Sequence, residues 1–133
     1  MLVKLIRVVL GIVLGHGLLG PLITLVQESW FGGVGWYESP FGELLLAGFL
    51  SCVGAGIGAA VATAISRPTG RLAAVVMSVL IVIETTVLVI TGKADGPLWL
   101  DFVAAASLIV AILVGAELIL RLGRSPDRKS AGA

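Results

Sequence analysis

Four unbroken apolar stretches, over residues 8–26, 44–66, 72–91 and 98–120, divide the chain. A hydrocarbon core about 30 Å thick is crossed by about 20 helical residues rising about 1.5 Å each, so every stretch is long enough to span it. A transmembrane barrel would instead show segments of about ten residues that alternate in hydrophobicity. The pattern predicts an all-α fold: a polytopic membrane protein built as an antiparallel bundle of four transmembrane helices. Turn formers separate the stretches. Ser39-Pro40 sets an N-cap residue ahead of a proline suited to a first helical turn, which places the second helix over 40–66. Arg67-Pro68-Thr69-Gly70-Arg71 stops that helix and permits a tight reversal, so helices two and three are expected as an antiparallel hairpin. Gly96-Pro97 does the same before helix four.

Composition agrees with this picture and narrows it. Hydrophobic residues make up 58% and charged residues 13%, against about 25% charged in ordinary soluble domains. The longest stretch outside the helices, 27–43, is too short to fold alone, which argues against a separate soluble catalytic domain within these residues. One transmembrane domain over 1–122 is expected, followed by a polar, small-residue tail at 123–133 with the composition of a disordered segment.

The net charge of +1 gives no reason to expect a nucleic-acid partner, but the placement of charge is informative. Lys4, Arg7, Arg67, Arg71, Arg121, Arg124, Arg128 and Lys129 all fall on one side of a four-pass bundle, and Lys93 alone falls on the other, with Glu28, Glu38, Glu43, Asp95 and Asp101. Short cytoplasmic loops collect Lys and Arg, so both termini are expected in the cytoplasm and the protein in a plasma membrane. The first stretch resembles a signal peptide in its basic start, yet it is long and lacks a small-x-small cleavage site before Gln27; it is read as a retained helix.

Trp30, Phe31, Trp36, Tyr37, Phe41 and Trp99 gather at the outer boundary, the pattern of an interfacial aromatic belt; a docking or lid role for the long outer loop is the competing reading. Gly11 and Gly15 in helix one, and Gly54 and Gly58 in helix two, form GxxxG pairs that let backbones approach closely. They serve packing within one chain or contact with another subunit. Gly54-Ala55-Gly56-Ile57-Gly58-Ala59 also matches a dinucleotide fingerprint, but it lies inside an apolar helix with no preceding strand, so no nucleotide site is inferred.

Chemistry in such a chain must come from polar groups at depth. Glu117 near the inner end of helix four can pair with Arg121 one turn on. Glu84 has no such neighbour: it lies roughly 9 Å or more from either end of its stretch, where a charged carboxylate costs several kcal/mol. It must be protonated, hydrogen-bonded or paired. His16, the sole histidine, falls within about 5 Å of the same depth and is the candidate partner, with Ser51, Cys52, Thr85 and Thr86 able to complete a polar cluster. Three roles compete for it: a hydrogen bond that fixes helix order, a proton-linked or ligand-binding site, and a contact with another subunit. One histidine supplies one haem ligand only, and His16, Cys52 and Glu84 lack zinc-ligand spacing, so no cofactor or metal is expected.

The basic start, the outer loop, the Gly42-Glu43-Leu44-Leu45-Leu46-Ala47-Gly48 opening of helix two, the arginine-containing inner turn and Gly96-Pro97 before helix four resemble, over residues 4 to 122, the DoxX-like group of small four-helix membrane proteins. That resemblance implies an architecture and no catalytic site. The expected function is a non-enzymatic subunit or accessory of a larger membrane assembly, with the lipid bilayer and a membrane-protein partner or a second copy of the chain as its contacts. The alternative is a proton-coupled transporter or lipophile-binding protein using Glu84 and His16. A membrane enzyme ranks behind both.

Overall fold

The computed structural model describes residues 2–30, 32, 39–92 and 98–123. Helix α1 covers Leu2–Thr24 and continues without a break into a wider π-helical segment, Leu25–Trp30. It thus extends past the 8–26 stretch at both ends. Lys4 and Arg7 interrupt an apolar run but are good helix formers, so the helix passes through them. Pro21 stands inside α1, removing one backbone donor without ending the helix.

Helices α2 (Phe41–Ile65), α3 (Gly70–Ile90) and α4 (Leu98–Leu122) complete the bundle. All four helices are long and apolar enough to cross a membrane. The expected Ser39 cap is not used: Pro40 is the capping residue of α2, in an extended conformation, and its carbonyl accepts the Glu43 and Leu44 N–H groups. The proline ring fixes the required φ without help from a side chain. The tail at 124–133, the Gly96-Pro97 turn, and Phe31, Trp36 and Tyr37 lie outside the described residues.

Around the bundle the order is α1, α2, α4, α3. Helix α2 packs most extensively against α1 and α4; it runs antiparallel to α3 and packs less against it, with Gly70 lying under Thr63 beside the connecting turn. The predicted hairpin is therefore a connection rather than the main packing pair. Small side chains explain the choice of neighbours. The buried positions include Ala55, Ala59, Ala62, Ala73, Ala74 and Ala116, with Met77 and Ile112 the largest side chains fully enclosed. Close-packed alanine surfaces bring backbones together, which supplies dispersion contacts where lipid offers no hydrophobic driving force.

The register of α1 on α2 is set by glycine. A Cβ at Gly58 would lie 2.6 Å from the Gly15 carbonyl oxygen, a Cβ at Gly11 would strike Ser66 and Ala62, and Gly54 faces Leu22. Both GxxxG pairs are consumed inside the monomer. A second crossing, Gly115 of α4 on Gly56 of α2, is just as tight, with no room for any side chain on Gly115. Every helix exposes large apolar side chains, among them Val13, Ile57, Val82 and Val110.

The start of α1, the end of α2, the start of α3 and the end of α4 share one end of the bundle. Ser66 Oγ donates to the Arg7 carbonyl at 3.4 Å, and Arg67 Nη2 donates to the Ile119 carbonyl at 2.6 Å. A guanidinium at the last turn of α4 also complements the negative end of its dipole.

Candidate functional site

Helices α1 and α3 run parallel and adjacent, and their polar residues meet. His16 is central in the 29-residue helical span Leu2–Trp30, and Glu84 lies in the second half of α3. Their side chains touch, with His16 Nε2 2.7 Å from Glu84 Oε1. That is hydrogen-bonding distance, with the role of the ring nitrogen set by the imidazole tautomer. His16 Nδ1 is buried with no hydrogen-bond partner among the described residues.

The pair does not point into the core. The Glu84 side chain is 53% exposed and that of His16 is 24% exposed, so the carboxyl group stands at the outer surface of the α1–α3 seam. Depth along a helix is legible from sequence, but how far close packing reaches along it is not. The buried residues of α3, Ala73, Ala74, Met77 and Ile81, end before Glu84, which stands three residues beyond Ile81 on the same face.

The rest of the expected cluster disperses. Thr86 is exposed and donates to the Val82 carbonyl at 2.7 Å within its own helix, and Thr85 is half-buried with no side-chain hydrogen bond among the described residues. Ser51 and Cys52 belong elsewhere: they line a cavity of about 580 Å³ between the first halves of α2 and α4, bordered by Ile23 and Gln27 of the first helical span. They do not reach His16 because the α1–α2 register sets Gly58 beside Gly15, which leaves Ser51 seven residues, about 10 Å, further along α2.

At the basic end, Glu117 accepts from Arg121 Nε at 3.1 Å, as the i, i+4 spacing predicts, and from Arg71 Nη2 of α3 at 3.3 Å. Three long side chains thus bridge α3 and α4 with no acid left unpaired there among the described residues. At the opposite end Trp30, Phe41 and Trp99 are all exposed at helix boundaries, consistent in position with a belt. No group of three or more His, Cys, Asp or Glu side chains capable of holding a metal ion occurs among the described residues.

Sequence reasoning missed the Gly56–Gly115 crossing and the cavity. The first had a signal, since Gly115 is the one glycine of helix four. The second also had one: residues 41–50 of α2 include Phe41, Leu44, Leu45 and Phe49, whereas 51–64 are mostly Gly, Ala, Ser and Thr. No family model, curated protein or solved structure matches the chain.

Proposed function

We propose that the chain is a small four-helix integral membrane protein, with both termini on the cytoplasmic side of a plasma membrane, that serves as a non-catalytic subunit of a larger membrane assembly. The α1–α3 face is its docking face. The half-exposed Glu84 carries this reading. In a bilayer an acidic side chain well inside the apolar span costs about 2.5–3.5 kcal/mol by insertion scales. His16 satisfies one oxygen only; Oε2 has no hydrogen-bond partner among the described residues. Acyl chains carry no donor, whereas a partner helix with a hydroxyl, amide or basic group at that depth supplies one and covers the pair. The concentration of Lys4, Arg7, Arg67, Arg71 and Arg121 at one end supports the orientation. The resemblance to the DoxX-like group supports the architecture.

The contact between two ionisable side chains within the apolar span favours a second reading, a proton-coupled carrier for a lipophilic substrate. A photo-crosslinking amino acid at Val13 or Val87, each one turn from a member of the pair, separates the two in native membranes. Capture of a protein from these sites but only lipid from Val110 on α4 is the expected outcome, and Glu84→Gln lowers that capture. Lipid alone at all three sites contradicts a docking face. Proton-linked flux by the purified chain in vesicles, lost in Glu84→Gln, establishes the carrier instead. Orientation is read with an impermeant maleimide on a Cys52→Ala background: Thr91→Cys reacts from outside, Gly123→Cys does not, and the reverse pattern inverts the topology.

A further inference from the structure

The cavity between α2 and α4 lies away from the His16–Glu84 pair and is not explained by a docking face on α1 and α3. Its volume of about 580 Å³ falls in the roughly 300–1,000 Å³ range of small-molecule sites. Leu45, Phe49, Trp99 and Val103 wall it and are exposed, while Ser51 and Leu108 are more buried. No charged side chain among the described residues lines it.

One of its polar groups is unusual. Serine and threonine inside helices normally turn their hydroxyl onto a carbonyl four residues back. Ser78, Thr86, Thr91 and Ser107 all do so, at 2.7–3.0 Å. Ser51 does not: its Oγ has no partner among the described residues, although the residue is only 7% exposed. Thr63 is also unpartnered but does not line this cavity. An unmet buried hydroxyl carries a desolvation cost that a bound acceptor removes. The apolar wall and the unmet buried hydroxyl together specify what fits.

We propose that this cavity binds a neutral lipophile of the long-chain ketone or alcohol type, its one oxygen accepting the Ser51 hydrogen and its tail lying along Phe49, Trp99 and Val103. An intact phospholipid is the wrong occupant. Ser51 is ten residues into α2, about 15 Å from its first turn. A phospholipid's ester groups stay at the headgroup level flanking a hydrocarbon core about 30 Å thick, and so do not reach it. Its charged headgroup would also find no counter-charge on the lining. The inference shares with the proposed function only insertion in a bilayer, and crosslinking at Val13 and Val87 does not depend on it.

The test uses the full chain in phosphatidylcholine nanodiscs and a long-chain ketone bearing a diazirine on its tail. Saturable labelling confined to peptides 41–52 and 99–108, competed by the unlabelled ketone and not by the matching alkane, is expected. Ser51→Ala lowers the labelling about fivefold, the effect of losing one buried hydrogen bond, and Ser51→Thr restores it. Gly48 lines the cavity, and a Cβ at that position would meet nothing within 4 Å, so Gly48→Leu fills the space without disturbing the helix contacts and abolishes labelling. Labelling spread over all four helices, competition by the alkane equal to that by the ketone, or undiminished labelling of Ser51→Ala each overturns the proposal.

Discussion

Helix α1 makes two seams of opposite character. Against α2 it presents Gly11 and Gly15, and the two backbones approach until no Cβ fits between Gly15 and Gly58. Against α3 it presents His16, whose ring reaches Glu84 at a surface that is half open. One seam is closed and has no capacity left for another molecule. The other is held by a polar contact and leaves an oxygen unmatched. Small-residue motifs are commonly read as surfaces for dimerisation, yet here both GxxxG pairs are spent within the monomer and are not free to meet a partner.

Breaking the closed seam has the largest expected effect. Gly58→Leu places a side chain where even Cβ lies 2.6 Å from the Gly15 carbonyl oxygen, and overpacking against backbone costs about 3 kcal/mol or more. Thermal unfolding in detergent should show a large loss of stability, and a variant as stable as the parent would mean that α1 and α2 do not cross at these glycines. Breaking the open seam should act differently. Hydrogen bonds between membrane helices average about 0.6 kcal/mol, so Glu84→Gln should unfold within about 1 kcal/mol of the parent. Its copurification with the partner should fall about tenfold, equivalent to about 1.4 kcal/mol. Equal losses of stability and assembly would erase the distinction between the seams. The smallest effect is expected at the basic end, where Glu117→Gln removes exposed ion pairs with Arg71 and Arg121. Pairs of that kind contribute about 1 kcal/mol or less, measurable as a slight shift in unfolding that added salt reduces in the parent.

Much of the fold could be read from the order of apolar stretches and turns. Four helices and their alternation follow from run length, and the pairing of Glu117 with Arg121 follows from helical spacing. His16 and Glu84 are recognisable as partners because both are ionisable, deep and otherwise unpaired. Helix rotation and helix order are not legible. Whether Glu84 is covered depends on how far along α3 the close packing reaches, and its buried residues end at Ile81. Ser51 departs from the expected cluster because the α1–α2 register, which sets Gly58 beside Gly15, places it about 10 Å further along α2. The preference of α2 for α1 and α4 over its sequence neighbour α3 arises from backbone approach at Gly15, Gly58, Gly56 and Gly115, which no local pattern ranks. Size along α2 also matters: the small half packs closely and the bulky half holds α4 away, leaving the cavity.

The central claim is that the open seam is covered by protein. Native mass spectrometry of the chain extracted from its own membrane in a mild detergent tests it most directly. A complex heavier than the 13.6 kDa chain, which dissociates on Glu84→Gln while the bundle stays folded, is the predicted result. A homogeneous monomer, unchanged by that substitution, would contradict it.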